Sequence, residues 1–197
     1  MLTEQQVRDI LAKQVLLVIA PHPDDETIGA GGLIAKIKDA GGKVFVLVLS
    51  SGTLEHFSTP FQKIDADIRN KEFENVMKFL NVDGWDVFYK NSELHMKLDT
   101  LPRRELINII ERQSVVSLEK IKPTMVCIPH PSFNQDHEAV FHACISALRP
   151  YLYTVKSFQN IVFIMDAPHL AWGVEPFRPN FYIDITKYLD KKLEAYK

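Results

Sequence analysis

Short apolar runs rich in β-branched residues alternate along this chain with stretches of helical periodicity, and few architectures accommodate that pattern. Residues 15–20 (Val, Leu, Leu, Val, Ile, Ala), 44–49, 125–128 and 161–165 are such runs, and 85–89 is a weaker one. Each is too short for a helix of ordinary length, and continuous apolarity marks strands buried on both faces. Between them, a helix-like stretch reaches Ala40 and is closed by Gly41 and Gly42. Residues 64–80 carry Ile64, Ile68, Phe73, Val76, Met77 and Leu80 near helical spacing. Further helices are predicted over 101–121, with Pro102 in the first turn and Pro123 beyond the far end, and over 136–148. Strand and helix in alternation imply crossover connections. The predicted fold is therefore α/β, a Rossmann-like three-layer α/β/α arrangement around a mostly parallel sheet. Open sheets of this kind bind ligands beyond the carboxyl ends of their strands. Chemistry is thus expected just after Ala20, Leu49, Tyr89, Ile128 and Met165.

Composition removes several classes of function. The 197 residues carry 23 Lys and Arg against 25 Asp and Glu, a net charge of -2 without a basic block, which opposes a general nucleic-acid binder. The length suits one domain spanning 1–197. No apolar run approaches the roughly 20 residues of a membrane span. Glu4, Arg8, Asp9 and Lys13 ahead of a short apolar run do not make a signal peptide. Two cysteines, Cys127 and Cys144, make neither a disulfide framework nor a CxxC site, so a cytoplasmic setting is expected.

The strongest local signal follows the first strand: Pro21-His22-Pro23-Asp24-Asp25-Glu26, then Gly29, Gly31 and Gly32. The glycine spacing is not G-x-G-x-x-G, and three acids stand where a phosphate would meet the helix N-terminus. Acids there attract a cation. His22 and Asp25, separated by a stiff Pro23, can point into one crevice, and a histidine with a carboxylate suits zinc or another divalent transition metal. Asp24 points elsewhere in such a turn and can serve as a base. A second cluster, His130 to Glu138, follows the fourth strand on the same sheet edge and offers His137 as third ligand. Three protein ligands leave one position for water, the catalytic arrangement. Helix capping by Asn134 or Asp136, with His137 merely exposed, is the plain structural reading of that segment.

These residues resemble the LmbE-like, or PIG-L, deacetylases. The resemblance rests on Pro-His-Pro-Asp-Asp-Glu at 21–26, the trailing glycines, Asn134-Gln135-Asp136-His137, Arg69 with Glu72, and Lys122-Pro123-Thr124, over roughly residues 15–185. It implies zinc-dependent hydrolysis of an N-acyl group, usually the acetyl of an N-acetylglucosamine unit. One zinc per chain would be bound by His22, Asp25 and His137, with Asp24 as general base and Arg69 contacting substrate. Zinc lowers the pKa of bound water from 15.7 toward about 7 and polarises the amide carbonyl. Many family members have a histidine where this chain has Asn134. An amide can donate to an oxyanion but cannot carry charge or pass a proton. Asn134 and Asp136 join Asp24 as catalytic candidates, and His130 is an alternative source of the missing imidazole. The family usually continues past its last amphipathic helix, so the resemblance leaves a C-terminal truncation open. It also leaves open a homo-oligomer, since several relatives assemble.

The remaining histidines carry weaker expectations. His56 is expected in a surface loop, with pocket lining as the alternative, and His95 and His142 on the surface. His169 and Trp172 follow the fifth strand; Trp172 either stacks on a sugar ring or pins its loop. Cys127 is expected in the strand core and Cys144 in the helix core. The resemblance implies a small N-acyl amino-sugar as partner, and neither nucleic acid nor a membrane span is expected. Two other readings compete: a magnesium-dependent receiver-type phosphotransfer module, which also places paired acids after its first strand, and a non-catalytic relative that keeps metal or sugar binding. His22 and His137 weigh against the first, because imidazole suits zinc better than magnesium.

Overall fold

The computed structural model describes residues 3–56, 62–152, 154–165 and 178–197. A first helix, α1 (Glu4–Leu11), begins with a capping box in which Thr3 and Gln6 exchange side-chain and backbone hydrogen bonds. It leads into β1 (Val15–Ala20), α2 (Asp25–Ala40) and β2 (Lys43–Ser50). A small antiparallel pair follows, β3 (Leu54–His56) and β4 (Gln62–Ile64), and then α3 (Ala66–Phe79) and β5 (Gly84–Tyr89). The second half holds α4 (Arg103–Asn108), α5 (Leu118–Ile121), β6 (Met125–Pro129), α6 (Gln135–Ala147), β7 (Ile161–Met165) and α7 (Leu189–Tyr196).

Five strands pair in parallel in the order β5-β2-β1-β6-β7. The chain runs outward from β1 through β2 to β5, then returns to the other side of β1 and runs through β6 to β7. The direction of winding reverses between β1 and β6, and the crevice at such a switch point is where open α/β sheets hold their ligands. The two polar clusters of the sequence follow these two strands.

Alternation along the strands feeds two cores. Leu16, Val18 and Ala20 with Val44, Val46 and Val48 pack against Ile34 and Ile37 of α2 and Phe73 and Met77 of α3. Leu17, Ile19, Leu47 and Leu49 pack on the opposite face against Leu106, Ile109, Val140 and Cys144. This is the three-layer arrangement expected. Burial of one such side chain contributes roughly 1.5–3 kcal/mol, so both faces hold the strand ends in register. Cys127 and Cys144 are buried, as expected. Among the described residues no helix is long and apolar enough to cross a membrane.

Two helices depart from the apolar pattern. Ile64 lies in β4, and α3 begins only after Asp65, whose carboxylate caps it by accepting the Asp67 amide N–H. The continuous helix predicted over 101–121 is broken. After α4 the backbone widens into a π turn at Ile109–Gln113, and the chain then leaves helical geometry until α5. The cause is Asp86 of β5, whose Oδ2 accepts from both the Ser114 hydroxyl and the Val115 amide. This half-buried carboxylate thus takes the Val115 N–H that would have continued the helix, together with the Ser114 hydroxyl beside it. The glycines of α2 serve packing: a Cβ on Gly29 would lie 2.8 Å from Met165 Sδ, and one on Gly32 2.6 Å from Ile185 Cδ1.

Candidate metal centre and active site

The turn after β1 separates two adjacent acids. Asp24 has φ 104 and ψ -36, a conformation that costs a non-glycine residue about 1–3 kcal/mol. It is held there by Glu26, whose Oε2 accepts the Asp24 amide N–H at 3.0 Å while Oε1 accepts the Thr27 hydroxyl at 2.8 Å. Glu26 is fully enclosed, and burial pushes its carboxyl pKa up to about 7. The twisted turn leaves Asp24 exposed and without a side-chain capping bond to α2, while Asp25 is buried at the helix start. Asp24 lines a cleft of about 600 Å³ together with Arg69 and Glu72.

His22, Asp25 and His137 are all buried, and their ligand atoms lie within 4.8 Å of one another. Asp25 Oδ2 is shared, 3.6 Å from His22 Nδ1 and 3.3 Å from His137 Nε2. Donors at bond lengths of about 2.0–2.2 Å on a tetrahedral ion stand about 3.3–3.6 Å apart. His137 Nδ1 is buried with no hydrogen-bond partner among the described residues. Two imidazoles and a carboxylate so spaced fit a zinc-type ion.

Asp136 stands behind this group with no exposed surface. Its Oδ2 accepts from His22 Nε2 at 2.8 Å, and its Oδ1 accepts the Leu98 amide N–H at 2.8 Å. That contact leaves the His22 Nδ1 edge facing Asp25, the carboxylate–histidine arrangement that orients metal-binding imidazoles. Burial opposes a charged His22, but the hydrogen bonds to Asp136 and Asp25 outweigh it and raise the pKa to about 9. Burial likewise opposes ionised Asp25, and its bonds to His137 and His22 hold the carboxyl well below the ordinary carboxylate range.

Asn134 is the N-cap of α6, its Oδ1 accepting the amides of Asp136 at 3.0 Å and His137 at 3.4 Å. The cap orients the first turn, and with it His137, while engaging only the carbonyl oxygen of the amide. His130 is half-buried where β6 ends, its backbone N–H bonded to the Met165 carbonyl at 2.9 Å, and it is not a member of the close ligand group. Trp172 and His169 lie outside the described residues, as does the side chain of His56.

Arg69 of α3 is buried and reaches the site from the β2 side. Its Nη1 donates to Gly52 O at 3.1 Å and to His95 Nε2 at 2.9 Å, and its Nη2 to Pro23 O at 3.4 Å. His95 is not on the surface as expected: it is 8% exposed, with its ring edge-on to His22 at a centroid distance of 4.9 Å. Burial first, then the positive charges of His22 and Arg69, lower its pKa to about 4. Sequence pattern offers no motif around His95. The available signal is its place in the loop after β5, on the edge where ligands gather.

Fold and site together define an α/β protein with a buried His–Asp–His donor set at the switch point of its sheet. Residues 17–148 match the family PIG-L: GlcNAc-PI de-N-acetylase, and the chain belongs to that family. By that membership it is an enzyme of the deacetylase class, a hydrolase. Diacetylchitobiose deacetylase of Thermococcus kodakarensis is 25% identical, the match covering 91% of this chain and 67% of that protein. A conserved protein of Thermus thermophilus has a similar structure, with TM-score 0.66 at 23% identity over 92% of this chain and 76% of the other. The hydratase GalB of Pseudomonas putida has TM-score 0.63 at 20% identity over 93% and 78%. Its different reaction shows that the fold alone does not decide the chemistry.

Proposed function

We propose that this protein is a zinc-dependent N-deacetylase acting on a small N-acetylated amino-sugar or its conjugate, and that residues 1–197 form one such domain. The observation that carries the reading is the division of labour within one turn. Asp25 is buried between two imidazole nitrogens, while its neighbour Asp24 is exposed on the cleft. His22, Asp25 and His137 would hold the metal. A bound zinc would supply an acidified water near neutral pH and polarise the amide carbonyl.

The protein's own residues do the rest. Asp24 Oδ takes the proton from the attacking water and passes it to the leaving amine, giving acetate and the free amino-sugar. A positioned acid–base group of this kind is worth on the order of 10²–10⁴ in rate. Arg69 fixes the substrate in the cleft with a guanidinium that stays charged. Asp136 has both oxygens engaged, so it acts through His22 by holding that ring. The oxyanion donor is sought in Asn134, which presents an amide beside His137, with His130 as the other side chain at the β6 end. Two buried, unpaired cysteines suit a cytoplasmic setting.

The test is metal analysis of the purified protein followed by acetate release from N-acetylglucosamine and its conjugates. Zinc stoichiometric with the chain together with acetate release is expected. Stoichiometric zinc without turnover on any acylated amino-sugar overturns the catalytic reading, and magnesium in place of zinc overturns the ligand set. Slower turnover of Asn134→Ala with zinc retained and the α6 cap intact, as in an Asn134→Ser control, supports an oxyanion role; unchanged turnover overturns it.

A further inference from the structure

We propose that His95 is the positioning residue for Arg69, accepting a guanidinium N–H on Nε2 and so holding the cation at the cleft beside Asp24. Arginine carries only donors and keeps its proton. With Arg69 Nη1 at 2.9 Å, His95 Nε2 can therefore only accept. The ring is neutral, with its proton on Nδ1, and Ser50 Oγ stands 3.5 Å from that nitrogen as the acceptor. Arg69 bonds two backbone carbonyls besides, of Gly52 and Pro23. All three acceptors are neutral, so the charge of Arg69 is oriented rather than cancelled.

The surroundings are built to seat this ring. A Cβ on Gly52 would lie 2.6 Å from His95 Cβ, so a glycine is what permits the approach. The loop bearing His95 is clamped to the segment just after β2 by the Ser92 amide on Ser51 O at 3.0 Å. It is tied to α3 through Asn91, which bonds Asn70 and donates to Asp67 Oδ1 at 2.7 Å. Helix α3 and this loop thus meet at the Arg69–His95 bond. No metal ligand is needed for that bond, although the ring touches His22.

The kinetic consequence rests on the proposed deacetylase reading; the hydrogen bond itself does not. Nitrogen-15 NMR of the whole protein should show His95 as the Nδ1–H tautomer and a slowly exchanging Arg69 guanidinium signal. His95→Leu should lose that signal, and His95→Gln, which places a carbonyl oxygen near the Nε2 position, should keep it. In acetate release, His95→Leu should raise KM about 10–100-fold, the scale of one hydrogen bond to a charged group. Zinc content should be unchanged and kcat nearly so. His95→Gln should recover most of the loss, and His95→Leu should add nothing in an Arg69→Leu background. Gly52→Ala, which keeps the imidazole but crowds it, should reproduce the KM rise if His95→Leu does not fold. An Nε2–H tautomer overturns the proposal whether or not the protein deacetylates anything. A glutamine variant as impaired as leucine, or zinc lost with His95→Leu, overturns it as well, by assigning His95 a packing role or a role through His22.

Discussion

His22 and His95 meet edge to face with ring centroids 4.9 Å apart, yet the protein holds them in opposite states. At the β1 end, His22 is gripped by two carboxylates, Asp25 and Asp136, and is a cation below about 9 in the metal-free protein. At the β5 end, His95 faces the guanidinium of Arg69, and its pKa falls to about 4. Burial disfavours the charged form in both, so the sign of the neighbouring charge decides. One imidazole is set against carboxylates, where a divalent cation can replace its proton. The other is kept neutral, as an acceptor.

The sharpest way to break this contrast is to remove the carboxylate shared by His22 and His137. Asp25→Ala should lose both metal and turnover to background, read by metal analysis and acetate release; metal retained at wild-type level would sink the ligand assignment. Asp24→Asn should lower kcat by about 10²–10⁴ while keeping the metal. If these two variants behave alike, the separation of a buried ligand from an exposed base is wrong. Asp136→Asn leaves the metal ligands in place and should weaken zinc affinity about 10–100-fold in chelator competition. It should also move the His22 pKa toward that of His95.

The smallest effect concerns the metal-free protein and pH. His22 has a folded pKa of about 9 against an ordinary value of 6.5. A group whose folded pKa is raised stabilises fully below its unfolded value and ceases to do so as pH climbs through the folded one. The melting temperature of the metal-free protein should therefore fall between pH 6.5 and about 9. His22→Gln should flatten that fall, and saturating zinc should remove it. An equal slope in the glutamine variant would show that the carboxylates do not hold His22 as a cation.

Much of the frame was legible in residue order. Five apolar runs became the five strands of the parallel sheet, because β-branched continuity has few other uses at that length. Their alternation with helices placed 21–26 and 130–138 on one edge, and the close spacing of His22, Asp25 and His137 was readable from residue type and position. The continuous helix that periodicity predicts over 101–121 is broken by Asp86, which accepts from Ser114 and Val115 and lies 28 and 29 residues away from them in sequence. Arg69 was singled out by resemblance, but its anchorage was not visible. Asp136 looked like a chemical group, and its position behind His22 depends on how α6 docks.

Sequence by itself determined the five strands of the parallel sheet and which polar residues stand at two strand ends, because hydrophobic period and local motifs act over a few residues. A positive φ at Asp24, held by Glu26 two residues on, turns the neighbouring acids apart within the turn, while only tertiary structure sets Asp25 against His137 of α6. Tertiary structure also decided the state of each imidazole. Protonation follows from charges within a few ångströms, and those charges come from helices and loops that only folding brings together.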